Sequence, residues 1–205
     1  MKSRALKSIH VSTLGPIVAG LLMSGCGHTS DRDQKTVPDT TTNEVVGPVA
    51  TEEPLRAGTT LDTTSATELK GAATFEQTAI GVRVVLNVDN AKPGKQAVHV
   101  HELGDCSDIA GKSMGEHFAP GHKEHALPDR EKRHLGDLGN IEIGPDGKGT
   151  LSIVAPRASL KPDDSYSFLG KALVVHASND KGTQPSGDSG PPVACGVIRE
   201  GVATE

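Results

Sequence analysis

The histidines set the tightest limit on how this chain can fold. Of nine in the sequence, six fall into one pattern with an aspartate: His99-Val100-His101, His117, His125, His134-Leu135-Gly136-Asp137 and His176. Only His10, His28 and His122 lie outside it. Imidazole is the commonest protein ligand for copper and zinc, and a carboxylate added to three imidazoles suits zinc. A solvated loop has no reason to gather histidine in this way. A fold that uses the set must bring His99 and His176 to one place.

Alternation of apolar and polar residues indicates the kind of fold. Val82, Val84, Leu86 and Val88 share one face of an extended segment, and Asp89-Asn90-Ala91-Lys92-Pro93-Gly94 then turns the chain. Residues 96–102 read as a second strand and 140–143 as another, with Pro145-Asp146-Gly147-Lys148-Gly149 turning into a strand over 150–154. Residues 172–176 and 194–197 complete the strands visible by pattern, and no stretch keeps a helical period. The domain is therefore expected to be all-β and antiparallel.

Strand geometry also aims the histidines. Side chains two apart point the same way, so His99 and His101 share a face while Val98 and Val100 turn to the core. His176 falls on the face opposite Leu173 and Val175. The intervening residues 103–137 run far longer than an ordinary loop without alternation, so something else must order them, and a metal would. With no Trp, three Phe and one Tyr, the core is expected to rest on Val, Ile, Leu and Ala.

The N-terminal 25 residues read as an export signal. Lys2, Arg4 and Lys7 precede an apolar run that Gly15-Pro16 interrupts, too short for a membrane span. Leu21-Leu22-Met23-Ser24-Gly25-Cys26 resembles the bacterial lipoprotein signal, which implies lipid on Cys26 and anchorage to a membrane. Gly27 follows, where an Asp favours the inner membrane of many Gram-negative bacteria, so the expected location is the cell envelope, at the outer membrane facing the periplasm. Residues 26–62 are rich in Thr, Pro, Asp, Glu and Gly and read as a flexible tether of roughly 30–36 Å, leaving residues 63–205 as the folded domain.

Removing the signal leaves 18 cations against 26 acids, a net charge of −8, which argues against nucleic acid as a partner. It also means that an anionic substrate needs a local positive funnel. With Cys26 lipidated, Cys106 and Cys195 remain, and in an exported protein such a pair is expected to join, two buried thiols being the alternative. A bridge across about 90 residues contributes roughly 4–5 kcal/mol on the chain-entropy account.

Residues from about Ala73 to Ile198 resemble the copper/zinc superoxide dismutase family. The resemblance rests on His99-Val100-His101-Glu102, Gly104-Asp105-Cys106, Gly115-Glu116-His117-Phe118, His134-Leu135-Gly136-Asp137-Leu138-Gly139-Asn140, Leu173-Val174-Val175-His176 and Ala194-Cys195-Gly196-Val197-Ile198. It implies a flattened eight-stranded Greek-key barrel, an immunoglobulin-like sandwich with long metal-binding loops. It implies too an enzyme that converts superoxide to oxygen and hydrogen peroxide, with one copper and one zinc per subunit.

By the same resemblance His99, His101, His117 and His176 hold copper, and His117, His125, His134 and Asp137 hold zinc. His117 then bridges the ions and is the catalytic residue. His125 is preferred to His122 because it lies eight residues after the bridging position and nine before His134, as the family requires. Asp180 matches the outer carboxylate that links a ligand of each metal, and Cys106 and Cys195 match the family disulfide. Family dimers vary in interface, so a homodimer remains open.

The match breaks at one functional position. The family places an arginine beside the copper, three residues before the second disulfide cysteine, and Pro192 stands there. Proline carries no charge, and the loop from His176 to Cys195 looks short, although Lys181 lies within it. Ala119 and Glu116 are smaller departures. The competing reading is a dismutase-like envelope lipoprotein that binds copper and zinc with little turnover. A zinc hydrolase fits poorly, because Leu103 occupies the place where the His-x-His-x-Asp pattern needs aspartate.

Overall fold

Ten strands pair into one antiparallel sheet in the computed structural model, which describes residues 53–64, 67–110 and 112–201. The signal, Cys26 and most of the tether lie outside the described residues. The strands are β1 (Arg56–Thr60), β2 (Asp62–Thr63), β3 (Lys70–Thr78), β4 (Gly81–Asp89), β5 (Gly94–His101), β6 (Asp137–Ile143), β7 (Gly149–Pro156), β8 (Ala172–His176), β9 (Pro192–Val197) and β10 (Arg199–Glu200). Their spatial order is β10-β1-β3-β4-β7-β6-β5-β8-β9-β2. The expected all-β class holds, and no helix occurs among the described residues.

The two ends of that order are halves of the same two segments. Only Leu61 separates β1 from β2, and only Ile198 separates β9 from β10. Ala57 and Gly58 pair with Glu200 and Arg199, while Asp62 and Thr63 pair with Cys195 and Ala194, all in one register. Counting each broken strand as one gives eight, and the first and last of these pair to close the sheet on itself. Closure removes the exposed edges that an open sheet would present. The β5-β6-β7 run is followed by β8 on the far side of β5, and β4 lies beside β7, which is Greek-key order.

The fold begins earlier than composition suggests. Arg56–Thr60 and Asp62–Thr63 belong to the sheet, although their Thr-rich sequence reads as tether to residue 62. β3, unmarked by strong alternation, pairs along its length with β4 and with β1. Where alternation was clear it is borne out: Val82, Val84 and Leu86 are fully buried while Arg83 and Asn87 are exposed.

The core is aliphatic but not only so. All three phenylalanines enter it, with Phe168 edge-on to Phe75 at 6.4 Å and to Phe118 at 6.2 Å. A second, smaller cluster of Ile109, Met114, Ala172, Val174 and Cys195, with Cys106 against it, lies on the other face of β8 and β9. There Cys106 and Cys195 form the disulfide, and it fastens the loop after β5 to β9. Apolar burial and a covalent link thus order the front of the long loop before any metal does.

Gly196 lies at a close approach of the closing strands. A Cβ on it would press into the Thr60 carbonyl and the Thr59 hydroxyl. Gly196→Ala is expected to cost at least about 2 kcal/mol in urea unfolding, by overpacking at the seam. A change within 0.5 kcal/mol would mean that the seam does not govern stability.

Candidate metal centre

Two bulges aim the strand-borne histidines. Pairing of β5 with β6 shifts register between Val98 and His99, and pairing of β8 with β9 shifts between Val175 and His176. Bulges re-aim side chains in this way. Val98 and Val100 join the core, as alternation predicts, and His99, His101 and His176 gather on the other face, each buried. The long loop returns along the end of β5: the Phe118 N–H donates to the Val100 carbonyl at 2.8 Å and the Glu102 N–H to the Glu116 carbonyl at 2.9 Å. This return lays His117 beside His101.

Fixed acceptors set the tautomers. His101 Nδ1 lies 2.7 Å from the Gly115 carbonyl and His176 Nδ1 lies 3.1 Å from the Gly190 carbonyl. A carbonyl only accepts, so both Nδ1 atoms carry the proton and both Nε2 atoms present lone pairs. Those Nε2 atoms face each other at 3.4 Å. His99 Nε2 meets Asp180 Oδ2 at 2.9 Å, which leaves His99 Nδ1 bare, buried and without a hydrogen-bond partner. Bare lone pairs turned toward one another repel unless a cation sits between them.

A second focus forms at Asp137. His117 Nδ1, His125 Nδ1 and His134 Nδ1 lie 2.9, 3.0 and 3.3 Å from Asp137 Oδ1. The other oxygen, Oδ2, is satisfied by the backbone N–H groups of Ala126 and His134 at 3.1 and 3.0 Å. His125 Nε2 meets Asp180 Oδ1 at 2.9 Å, and its Nδ1 faces Asp137 Oδ1 without an aligned hydrogen bond. A tetrahedral site with bonds of about 2.0–2.1 Å has edges of about 3.3–3.4 Å, close to these spacings. The donors therefore fit a metal at each focus.

Ligand atoms within 4.8 Å of one another form two sets: His99, His101, His117 and His176, and His99, His117, His125 and Asp137. His99 and His117 are common to both, and His134 stands slightly outside the second. His99 has one free ring nitrogen and can serve one ion. His134 Nδ1, at 3.3 Å from Asp137 Oδ1, has the separation expected of a fourth ligand.

Asp180 ties the halves together. Its oxygens take one imidazole from each set, its Oδ1 also accepts the Gly182 N–H at 2.8 Å, and Asn140 grips its backbone at 2.7 and 3.0 Å. Gly187, at φ +78°, lets the loop close over this carboxylate, where a Cβ would collide with Asp180 Oδ1. Gln184 holds the His125 backbone from the same loop, by bonds of 2.7 and 3.2 Å. The roles of Asn140 and Gln184, and of the Gly115 and Gly190 carbonyls, are not visible in the sequence pattern.

Burial governs the charge states. It pushes His99, His101 and His176 down to about 3, against their partly offsetting hydrogen bonds, and the Lys112 charge adds to the lowering at His101 and His176. At His125 burial also lowers, but the Asp137 and Asp180 carboxylates outweigh it and raise the group to about 9. Burial works upward on Asp137 and Asp180, yet their imidazole partners hold both well below the usual carboxylate range.

The remaining sequence candidates fall outside the sets. His122 is exposed. Pro192 is buried, paired with His176 across β8 and β9. Lys181 is engaged with Asp188 at 2.6 Å.

A sequence profile described as copper/zinc superoxide dismutase matches residues 69–198. Among similar solved structures is one titled as a crystal structure analysis of the clock protein EA4, 34% identical, covering 71% of this chain and 94% of that one, with a TM-score of 0.64.

The depressed histidines carry a pH signature for the metal-free protein. Groups neutral in the fold to about pH 3 but titrating near 6.5 when unfolded contribute fully above 6.5 and lose that contribution as pH falls. The raised group works oppositely, its contribution complete below 6.5 and lost as pH rises through about 9. Chelator-treated protein is thus expected to lose at least about 2 kcal/mol between pH 6.5 and 5 in urea unfolding. Stability that stays level or rises over that range would contradict these charge states.

Proposed function

The chain belongs to the copper/zinc superoxide dismutase family, and from that premise we propose that it is a bacterial envelope lipoprotein that converts two superoxides and two protons to oxygen and hydrogen peroxide. The observation that carries this reading is the pair of ligand clusters that share His117. In this reading His99, His101, His117 and His176 hold copper, and His117, His125, His134 and Asp137 hold zinc. When bound, copper would supply one-electron chemistry, taken from one superoxide and returned to the next, while zinc with four protein ligands would supply fixed charge and structure.

The chain's own groups do the rest. His117 directs Nδ1 at Asp137 and leaves its other ring nitrogen for the copper set, where it can hold a proton and pass it to the reduced product. Asp180 is a positioning residue: it sets the tautomers of His99 and His125 and thereby couples the two halves. The carbonyls of Gly115 and Gly190 do the same for His101 and His176.

Superoxide is an anion and the protein is acidic, so a local cation matters for encounter. Pro192 supplies none, and Lys181 is neutralised by Asp188. Lys112 is exposed and has no carboxylate partner among the described residues. It lies in the turn whose Gly115 carbonyl holds His101, on the loop pinned by the disulfide. In this reading guidance has moved from β9 to that loop. Lipid at Cys26 and a tether set the domain at the outer membrane, facing the periplasm; the signal motif supports this placement.

Pro192 also favours one competing reading, a metal-holding lipoprotein with little turnover. Decay of pulse-generated superoxide separates the two. Copper- and zinc-loaded protein is expected to consume superoxide far faster than the zinc-only form, and equal rates would favour the competitor. Pro192→Arg should raise the rate, and Lys112→Gln should lower it roughly ten-fold and flatten its salt dependence. A Lys112→Gln rate equal to wild type at low salt would remove Lys112 from guidance.

A further inference from the structure

A cavity of about 420 Å³ opens between the end of the long loop and the end of β7, lined by Lys123, Arg130, Arg133, Arg157 and Tyr166, with Asp129 and Glu131 as its acids. It abuts the zinc half through His134 but needs none of the metal chemistry. In a chain with more acids than cations, this cavity reverses the balance.

Two of these cations are held in place by their neighbours, and three of the four have no carboxylate partner among the described residues. Arg130 has a carboxylate within 4.0 Å, from Asp129 at 3.9 Å, and among the described residues Lys123, Arg133 and Arg157 have none. Arg133 Nη1 donates to the Arg130 carbonyl at 2.9 Å, which leaves Nη2 free to donate. Arg157 Nη2 donates to the Tyr166 hydroxyl at 2.9 Å, and its guanidinium lies 4.9 Å from the ring centre. Arg157 also takes φ 69°, an uncommon backbone state for a long side chain. Its N–H is tied to the Ile80 carbonyl at 2.9 Å.

Like charges converging on one cavity repel, and a counter-anion relieves them. Guanidinium forks match the oxygen spacing of phosphate, and the volume lies in the range of small-molecule sites. We propose that this cavity binds a phosphate group, carried by a free phosphate monoester or by the headgroup of an anionic phospholipid. The proposal does not rest on dismutation.

Tyr166 gives a direct test, because the chain has one tyrosine and no tryptophan. Full-length, metal-loaded protein carrying Cys26→Ser would be titrated with glycerol phosphate while tyrosine fluorescence is followed. A second titration would use phosphatidylglycerol vesicles, with phosphatidylcholine vesicles as the neutral control. A saturable one-site response is expected, weakened at least ten-fold in Lys123→Gln and in Arg157→Gln and unchanged in Lys95→Gln. Saturation by glycerol phosphate alone assigns a free ester; vesicle binding that glycerol phosphate displaces assigns a headgroup. No saturable response in either titration would overturn the proposal. So would a response equal to that of sodium chloride at matched ionic strength, or one that survives both cavity variants. Unchanged metal content and circular dichroism in the variants would show that lost binding is not lost folding.

Discussion

Four histidines each spend one ring nitrogen on a fixed acceptor, and everything else in the centre follows from that. The Asp180 carboxylate takes His99 and His125, and the Gly115 and Gly190 carbonyls take His101 and His176. In His99, His101 and His176 the opposite nitrogens are left as lone pairs pointed inward, with His99 Nδ1 buried and unpartnered. An unpartnered buried acceptor is costly, so the arrangement makes sense only around cations. The protein pre-sets the ligand geometry by second-layer bonds, and burial keeps His99, His101 and His176 neutral.

The barrel exists to hold those acceptors still. His99, His101 and His176 stand on strands at bulges, while Gly115, Gly190 and Asp180 come from loops that must be fixed by other means. The disulfide and the cluster around Met114 fix the first loop; Asn140, Gln184 and the close approach at Gly187 fix the other. Closure through the split first and last strands removes the edges and makes the frame continuous. Stability and ligand placement therefore share the same contacts.

Much of this was legible in the sequence. Alternation exposed β4, because it buries one face with aliphatic side chains, and the apolar runs of β5 and β8 exposed those two strands. The strand pattern placed His99 with His101 and opposed His176 to Val175, as found. What stayed hidden was non-local. β1 and β2 are Thr-rich and short, and become strands only because β3, β9 and β10 pair with them. Residues 70–78 fully bury only Ala73 and Phe75, too weak a signal in isolation. The aliphatic core expected from composition underrated three phenylalanines that meet at its centre. Backbone acceptors such as the Gly115 carbonyl leave no trace in residue identity at all. Pro192 was visible as a departure, but the charge that Lys112 brings to bear on His101 and His176 needed the folded loop to be seen.

The central claim is that one imidazole, His117, serves both foci. Metal-edge anomalous diffraction from crystals of the copper- and zinc-loaded protein tests it most directly. The account predicts two ions about 6 Å apart, the span of one imidazole and two bonds of about 2 Å, with the His117 ring between them. A single ion, or two ions whose separation leaves His117 bound to neither or to one alone, would contradict it.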